Sequence, residues 1–296
     1  MPRSLPLAAP WPFRALWLLL PVVAGPAVAD ALADRSRAVQ VVASVLAWAG
    51  WGGVLAASLV LRSVTLTVVR ALAPGAVLLC TWAAFASDEL AWGLAGIVVA
   101  VLATVAALSP ATADAFVDGS SYGDERRVAL RIPVAMAVGP VPIAWALAAA
   151  GLVVGPLLLA AEQWIAGGIA VALGVPTVFA VVLRLHLLSR RWLVFVPAGV
   201  VVHDPLAMAE PVLLQRHLLR RIGPADADAV TRDGALDLTG GAIGLALELR
   251  TVEPFEVGLR QGRETVETTG VPAVLVTPGR PATTLEIAAE RKLPVS

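Results

Sequence analysis

The sequence predicts an all-α transmembrane domain of about six spans followed by a small β-rich cytoplasmic domain. Three observations predict it. The chain is 58% hydrophobic but only 15% charged, against about 25% charged in ordinary soluble domains, and the deficit is concentrated in the first two thirds. Apolar runs long enough to cross a bilayer recur there one after another. Then, across Arg184 to Asp204 (RLHLLSRRWLVFVPAGVVVHD), the pattern changes. Arg184, Arg190 and Arg191 close the last long apolar run, and short β-branched runs broken by Pro and Gly follow. The boundary is therefore set at 187/188, giving a membrane domain over 1–187 and a second domain over 188–296.

The first apolar run, near 13–33, follows Arg3 and Arg14 and contains Ala27-Val28-Ala29. Those features fit either an uncleaved first span or a signal peptide with a small-residue cleavage site. We expect the uncleaved span, since five more follow. The second run covers 38–61, with Gln40 and two serines as its polar residues, and the third covers 64–86, with Arg70 and Pro74 in its early turns. The fourth covers 91–108, after a tight Ser87-Asp88-Glu89 turn flanked by Trp82 and Trp92 at the level of an interfacial aromatic belt.

Residues 109–131 are the longest polar gap in this half. The fifth span, near 132–154, carries Pro140 and Pro142, which predict a kink near Pro140 and an end near Gly155-Pro156. The sixth covers 164–183. Gly151 and Gly155 have the small-xxx-small spacing of close helix packing, within one chain or between protomers.

Arginine placement sets the orientation. With the N-terminus inside, the inner segments hold Arg3, Arg14, Arg62, Arg70, Arg126, Arg127, Arg131, Arg184, Arg190 and Arg191, and the outer ones only Arg35 and Arg37. The positive-inside rule then puts both termini in the cytoplasm of a bacterial plasma membrane. The bacterial source is read from an Ala/Val/Gly-rich chain with one lysine and no asparagine.

Beyond Arg191, Trp192–Val196 and Val200–His203 read as strands joined by Pro197-Ala198-Gly199, a type I turn by its Pro and Gly placement. Further apolar runs are Pro211–Gln215, Ile243–Leu249 and Val271–Val276, and Ala282–Lys292 has helical spacing. Roughly a hundred residues suffice for an independent core. Short strands and then one helix describe a small barrel or sandwich with a capping helix.

WLVFVPAGVVVHD, then PVLLQRHLLRRI, then PGRPATTLEIAAERKL resemble the first hairpin, third strand and closing loop-plus-helix of bacterial pleckstrin-homology-like domains. Taken whole, the chain resembles an uncharacterised family of actinobacterial multi-pass membrane proteins. The resemblance implies a PH-like fold for the second domain and carries no activity with it.

Several function classes are excluded or unsupported. Net charge is zero, so no nucleic-acid partner is expected. The single cysteine, Cys80, allows neither a disulfide framework nor a cysteine metal site. The central parts of spans two, four, five and six hold no ionisable residue, which argues against an ion-coupled transporter. Arg70 reads as a snorkelling side chain, Asp88 and Glu89 as a solvated turn, and His186, His203 and His217 lack metal-ligand spacing. No catalytic residue, cofactor or metal site is expected.

What remains are interaction surfaces. Tyr122, Asp124, Glu125, Arg126 and Arg127 are expected to dock on the second domain, with Tyr122 as a buried anchor and Arg216, Arg220 and Arg221 as partners for the acids. Arg190, Arg191, Arg216, Arg220 and Arg221 are the candidates for contact with anionic lipid head groups or a membrane protein partner. The expected function is a non-enzymatic membrane anchor for a cytoplasmic interaction domain. The alternative is a transporter or channel subunit, and a membrane-embedded enzyme comes third.

Overall fold

The computed structural model describes residues 9–226, 228–230, 234–261 and 264–296. Six of its helices are long and apolar enough to cross a membrane, and a strand-rich region in two sheets follows. The chain divides into two compact units, Met1–Ala115 with Val141–His186, and Phe116–Pro140 with Leu187–Ser296. The second unit thus takes in a stretch that the sequence reading placed in the helical domain.

The helical unit contains α1 (Trp11–Ala33), α2 (Arg37–Leu59), α3 (Ser63–Ala86) and α4 (Leu90–Leu108), most of the short α5 (Pro110–Asp118), and then α7 (Pro140–Ala160) and α8 (Trp164–Leu188). Its core is a seam rather than a hydrophobic face. The buried residues of α1 include Phe13, Trp17, Leu20, Ala24, Ala27 and Ala31; those of α3 include Leu66, Val69, Ala73, Ala76, Cys80 and Ala83; those of α4 are Gly93, Gly96, Ala100, Ala103 and Ala107. All three series step by alternating threes and fours, the 3.5-residue repeat that lets helices run side by side at a shallow angle. Lipid is as apolar as leucine, so burying leucine gains little; close approach of small residues is what holds such helices together. A Cβ added at Gly93 would lie 2.5 Å from the Ala84 Cα, and one at Gly96 3.1 Å from the Ala24 Cβ.

Polar side chains complete the packing by bonding to neighbouring backbones. Trp17 Nε1 donates to the Trp51 carbonyl and Trp51 Nε1 donates to the Trp17 carbonyl, both at 2.9 Å. Trp145 Nε1 donates to the Ala71 carbonyl at 2.6 Å, just before Pro74 interrupts the hydrogen-bond ladder of α3.

α7 and α8 form a hairpin whose register is written in glycine. Gly151 lies against Gly174, Gly155 against Val171, and Gly167 against Leu159. The small-xxx-small pair therefore packs within the chain. Before this hairpin, a short helix α6 (Val134–Val138) ends at Gly139, and α7 begins at Pro140, so the break falls beside the proline that predicts it. α7 does not stop at Gly155-Pro156 but runs on to Ala160. Pro156 costs one ladder bond, which helices in apolar surroundings tolerate.

The strand-rich unit begins before that hairpin. β1 (Arg126–Ala129) pairs antiparallel with β2 (Trp192–Val196), which pairs with β3 (Gly199–His203), which pairs with β4 (Val212–Gln215). The second sheet has the order β5 (Leu219–Pro224), β7 (Leu247–Gln261), β8 (Glu264–Val276), β6 (Leu236–Asp237), with only β6 and β8 parallel. Alternate residues of the first sheet, Val128, Leu193, Phe195, Val200, Val202 and Leu214, enter one core with Ile222, Leu247, Leu249, Val257, Val274 and Val276 of the second. The C-terminal helix α9 (Pro281–Glu290) adds Leu285 and Ala288 to it.

The sheets meet through the isolated bridges Leu130–Pro278 and Met208–Leu259, and among the described residues they do not close into one barrel. Gly199 ends the β2–β3 turn with φ of +149°, where a Cβ would lie 2.1 Å from the Leu214 carbonyl oxygen. The run expected to end at Leu249 instead continues to Gln261, with register shifts between Arg250, Phe255 and Val257 that accommodate Pro254.

Candidate functional site

The polar gap between the fourth and fifth spans is structured at both ends. Asp118, at the end of α5, accepts hydrogen bonds from Ser121 Oγ and the Arg127 backbone N–H through one oxygen and from Arg126 Nη1, at 2.8 Å, through the other. Glu125 pairs with Arg127 at 3.0 Å. Asp118 and Glu125 are thus satisfied within the segment, and not by Arg216, Arg220 or Arg221. The segment joins the strand-rich unit through the β1–β2 ladder, and through Arg291, whose Nη2 donates to the Asp124 carbonyl. Burial holds the Arg291 guanidinium below its usual pKa. Tyr122 takes no part: it is 87% exposed, not a buried anchor. Backbone pairing and the Asp118 cluster make an aromatic anchor unnecessary.

Arg191 is the second correction. It is expected at a lipid or partner surface, yet its side chain is 3% exposed and faces Asp204, which is fully buried. Arg191 Nε and Nη2 donate to Asp204 Oδ2 at 2.9 and 2.7 Å. Nη1 donates to the Arg131 carbonyl at 2.6 Å and Nη2 also to the Leu238 carbonyl at 2.9 Å. Asp204 Oδ1 accepts from the Leu206 N–H. One guanidinium therefore ties the chain just before the last two membrane helices, the chain just after them, and the second sheet. Charge is tolerable at such depth only because the hydrogen-bonding groups are matched. The β2–β3 register held the signal for this pair. Trp192 opposes His203, so the flanking residues opposite one another are Arg191 and Asp204.

Of the other expected surface arginines, Arg221 is committed to Ser296 Oγ at 2.8 Å and lies 3.7 Å from the buried carboxylate of Glu248. Arg250 pairs with the same carboxylate. Arg216 and Arg220 are exposed near the β4–β5 turn, with Arg216 donating to the Arg291 carbonyl, and Arg190 is half-buried. The Trp192 and His203 rings lie 4.9 Å apart at a tilt of 30°, with the Arg127 guanidinium 5.8 Å from the indole centroid. Burial, then the nearby Arg190, pushes the His203 pKa down, against the pull of Asp204.

In the helical unit, His186 Nδ1 lies 3.1 Å from the Thr67 hydroxyl. Asp88 sits in an exposed turn, its backbone N–H donating to Asp30. Among the described residues no group of three or more His, Cys, Asp or Glu side chains is placed to hold a metal ion. Comparison with protein-family models, with curated proteins and with solved structures gives no match to this chain.

Proposed function

We propose that this is a non-enzymatic, multi-pass protein of the bacterial plasma membrane, with both termini in the cytoplasm. Its strand-rich unit is a pleckstrin-homology-like interaction module that engages anionic lipid head groups or a membrane protein partner. The observation that carries the reading is the pairing of β1 with β2. These strands flank the last two membrane helices in sequence and are neighbours in one sheet, so the module is tethered at two points of its own first sheet. A doubly tethered module samples the membrane surface at high effective concentration, which suits weak contacts there. Of the five candidate arginines, Arg216 and Arg220 are exposed, and each is worth about 1 kcal/mol near an anionic surface. The two sheets and the capping helix support the pleckstrin-like comparison.

Single-cysteine labelling tests the arrangement. In a Cys80→Ala background, Tyr122→Cys should react with a membrane-impermeant maleimide only after lysis, whereas Asp88→Cys should react in intact cells. Labelling of Tyr122→Cys in intact cells would overturn the proposed topology.

A further inference from the structure

A groove of 580 Å³ opens within the helical unit where the start of α2 meets the turn between α7 and α8. Its floor is apolar, with Val41, Val42 and Leu159, and its rim carries Arg37, Glu162 and Trp164. The volume falls within the about 300–1,000 Å³ of small-molecule sites. The groove lies at the ends of three candidate spans, the start of α2 and the turn joining α7 to α8. Arg37 and Glu162 are both exposed and line one cleft, yet form no ion pair within 4 Å of each other. Arg37 occupies the first turn of α2, where the helix dipole disfavours a cation. Glu162 adopts φ of +63°, a left-handed conformation usually left to glycine or asparagine. Helix capping accounts for the Glu162 backbone, with the Gln163 N–H donating to the Leu158 carbonyl at 2.9 Å, but it does not call for an acidic side chain there.

We infer that this groove binds a zwitterionic aminophospholipid of the membrane the protein spans. The phosphate meets Arg37, the ammonium meets Glu162 and the face of the exposed Trp164 indole, and the upper acyl chain lies over Val41, Val42 and Leu159. Charge complementarity selects this occupant. An anionic head group such as that of phosphatidylglycerol would satisfy Arg37 through its phosphate but offer no cation to Glu162. A lipid bearing both charges satisfies both sides of the rim, and an indole face adds attraction for the cation. The choline head group meets the carboxylate without a hydrogen-bond donor, so the primary ammonium is preferred.

The experiment uses the full chain, delipidated in detergent and titrated with phosphatidylethanolamine, phosphatidylglycerol or phosphatidylcholine, with bound lipid read by native mass spectrometry. Exposed charge contacts are worth about 0–1 kcal/mol, so we expect a roughly three- to fivefold preference for phosphatidylethanolamine. Glu162→Gln should bring the ethanolamine and glycerol lipids to equal retention. Arg37→Ala should weaken both. Val41→Trp, which fills the floor from an exposed position, should remove the bound lipid while leaving the thermal midpoint unchanged. Equal retention of all three lipids by the unaltered protein overturns the inference. So does a preference unaffected by Glu162→Gln, or a groove occupied by a second copy of the chain with no lipid retained.

Discussion

Removing the carboxylate of Asp204 is the sharpest test of how the strand-rich unit is held. In Asp204→Ala, the Arg191 guanidinium stays in place, 3% exposed, and loses two charge-assisted hydrogen bonds of 2.9 and 2.7 Å. The Leu206 N–H also loses its acceptor. Breaking a buried pair on one side costs about 3–5 kcal/mol, mainly because a charge is left uncompensated. Here the Arg131 and Leu238 carbonyls still receive Nη1 and Nη2, which places the expected loss near the lower end, about 3 kcal/mol. Against a typical domain stability of about 5–15 kcal/mol, that is a large share. In hydrogen exchange on the full protein in detergent, it corresponds to roughly a hundredfold loss of protection in the slowest amides of β2, β3 and β7. The paired change Arg191→Met with Asp204→Leu removes the uncompensated charge and should recover part of the loss, the remainder reflecting the Arg131 and Leu238 carbonyls that lose their donor. Unchanged protection in Asp204→Ala, or a double variant less protected than the single one, would refute the argument.

Four other outcomes follow from particular contacts. Gly199→Ala forces a Cβ to 2.1 Å from the Leu214 carbonyl at a φ of +149° and should open the β3–β4 ladder, measurable as faster exchange at Val200 and Val202, by more than about 1 kcal/mol. Gly174→Leu places its Cβ 2.6 Å from the Gly151 Cα and should lower the thermal midpoint by an amount equivalent to about 1–3 kcal/mol. Tyr122→Ala should leave every protection pattern within about 0.5 kcal/mol, since the ring is 87% exposed; a larger loss would restore the anchor expected from sequence. His203 holds its pKa below the 6.5 of the unfolded chain, so unfolding takes up a proton as pH falls through that window. Its contribution is therefore fully present above 6.5 and is lost toward the lower folded value. His203→Gln should flatten the pH dependence of the unfolding midpoint between neutral and mildly acid conditions.

The long helices were legible because each needs one signal, an apolar run of sufficient length, and no partner is required to recognise it. Their packing was equally present in the letters. The alternation Gly93, Gly96, Ala100, Ala103, Ala107 is a 3.5-residue repeat of small residues, but a hydropathy reading averages it away because alanine and glycine differ little from their neighbours on that scale. The first hairpin of the strand-rich unit was readable because local turn chemistry fixes it. β1 was not, because Arg126-Arg127-Val128-Ala129 is short and partly charged and finds its partner beyond two membrane helices. Nothing local announces a pairing of that range.

The same separation explains why the candidate surface was misjudged in part. Five arginines near the membrane exit look alike as letters, and charge placement alone assigns them all to the inner surface. Which of them stay there depends on register. Arg191 is opposite Asp204 and is drawn inside; Arg221 is next to Glu248 and Ser296 and is engaged; Arg216 and Arg220, with no acid across the ladder, are left on the surface. An arginine three residues beyond α8 thus serves the fold while Arg216 and Arg220 remain exposed. The buried arginine also accounts for how a sheet can tolerate the insertion of α6, α7 and α8 between its first two strands. Its Nη1 reaches the Arg131 carbonyl on the entering side while its own carbonyl accepts the Leu130 N–H. Both ends of the insertion are therefore fixed by the residue that closes it.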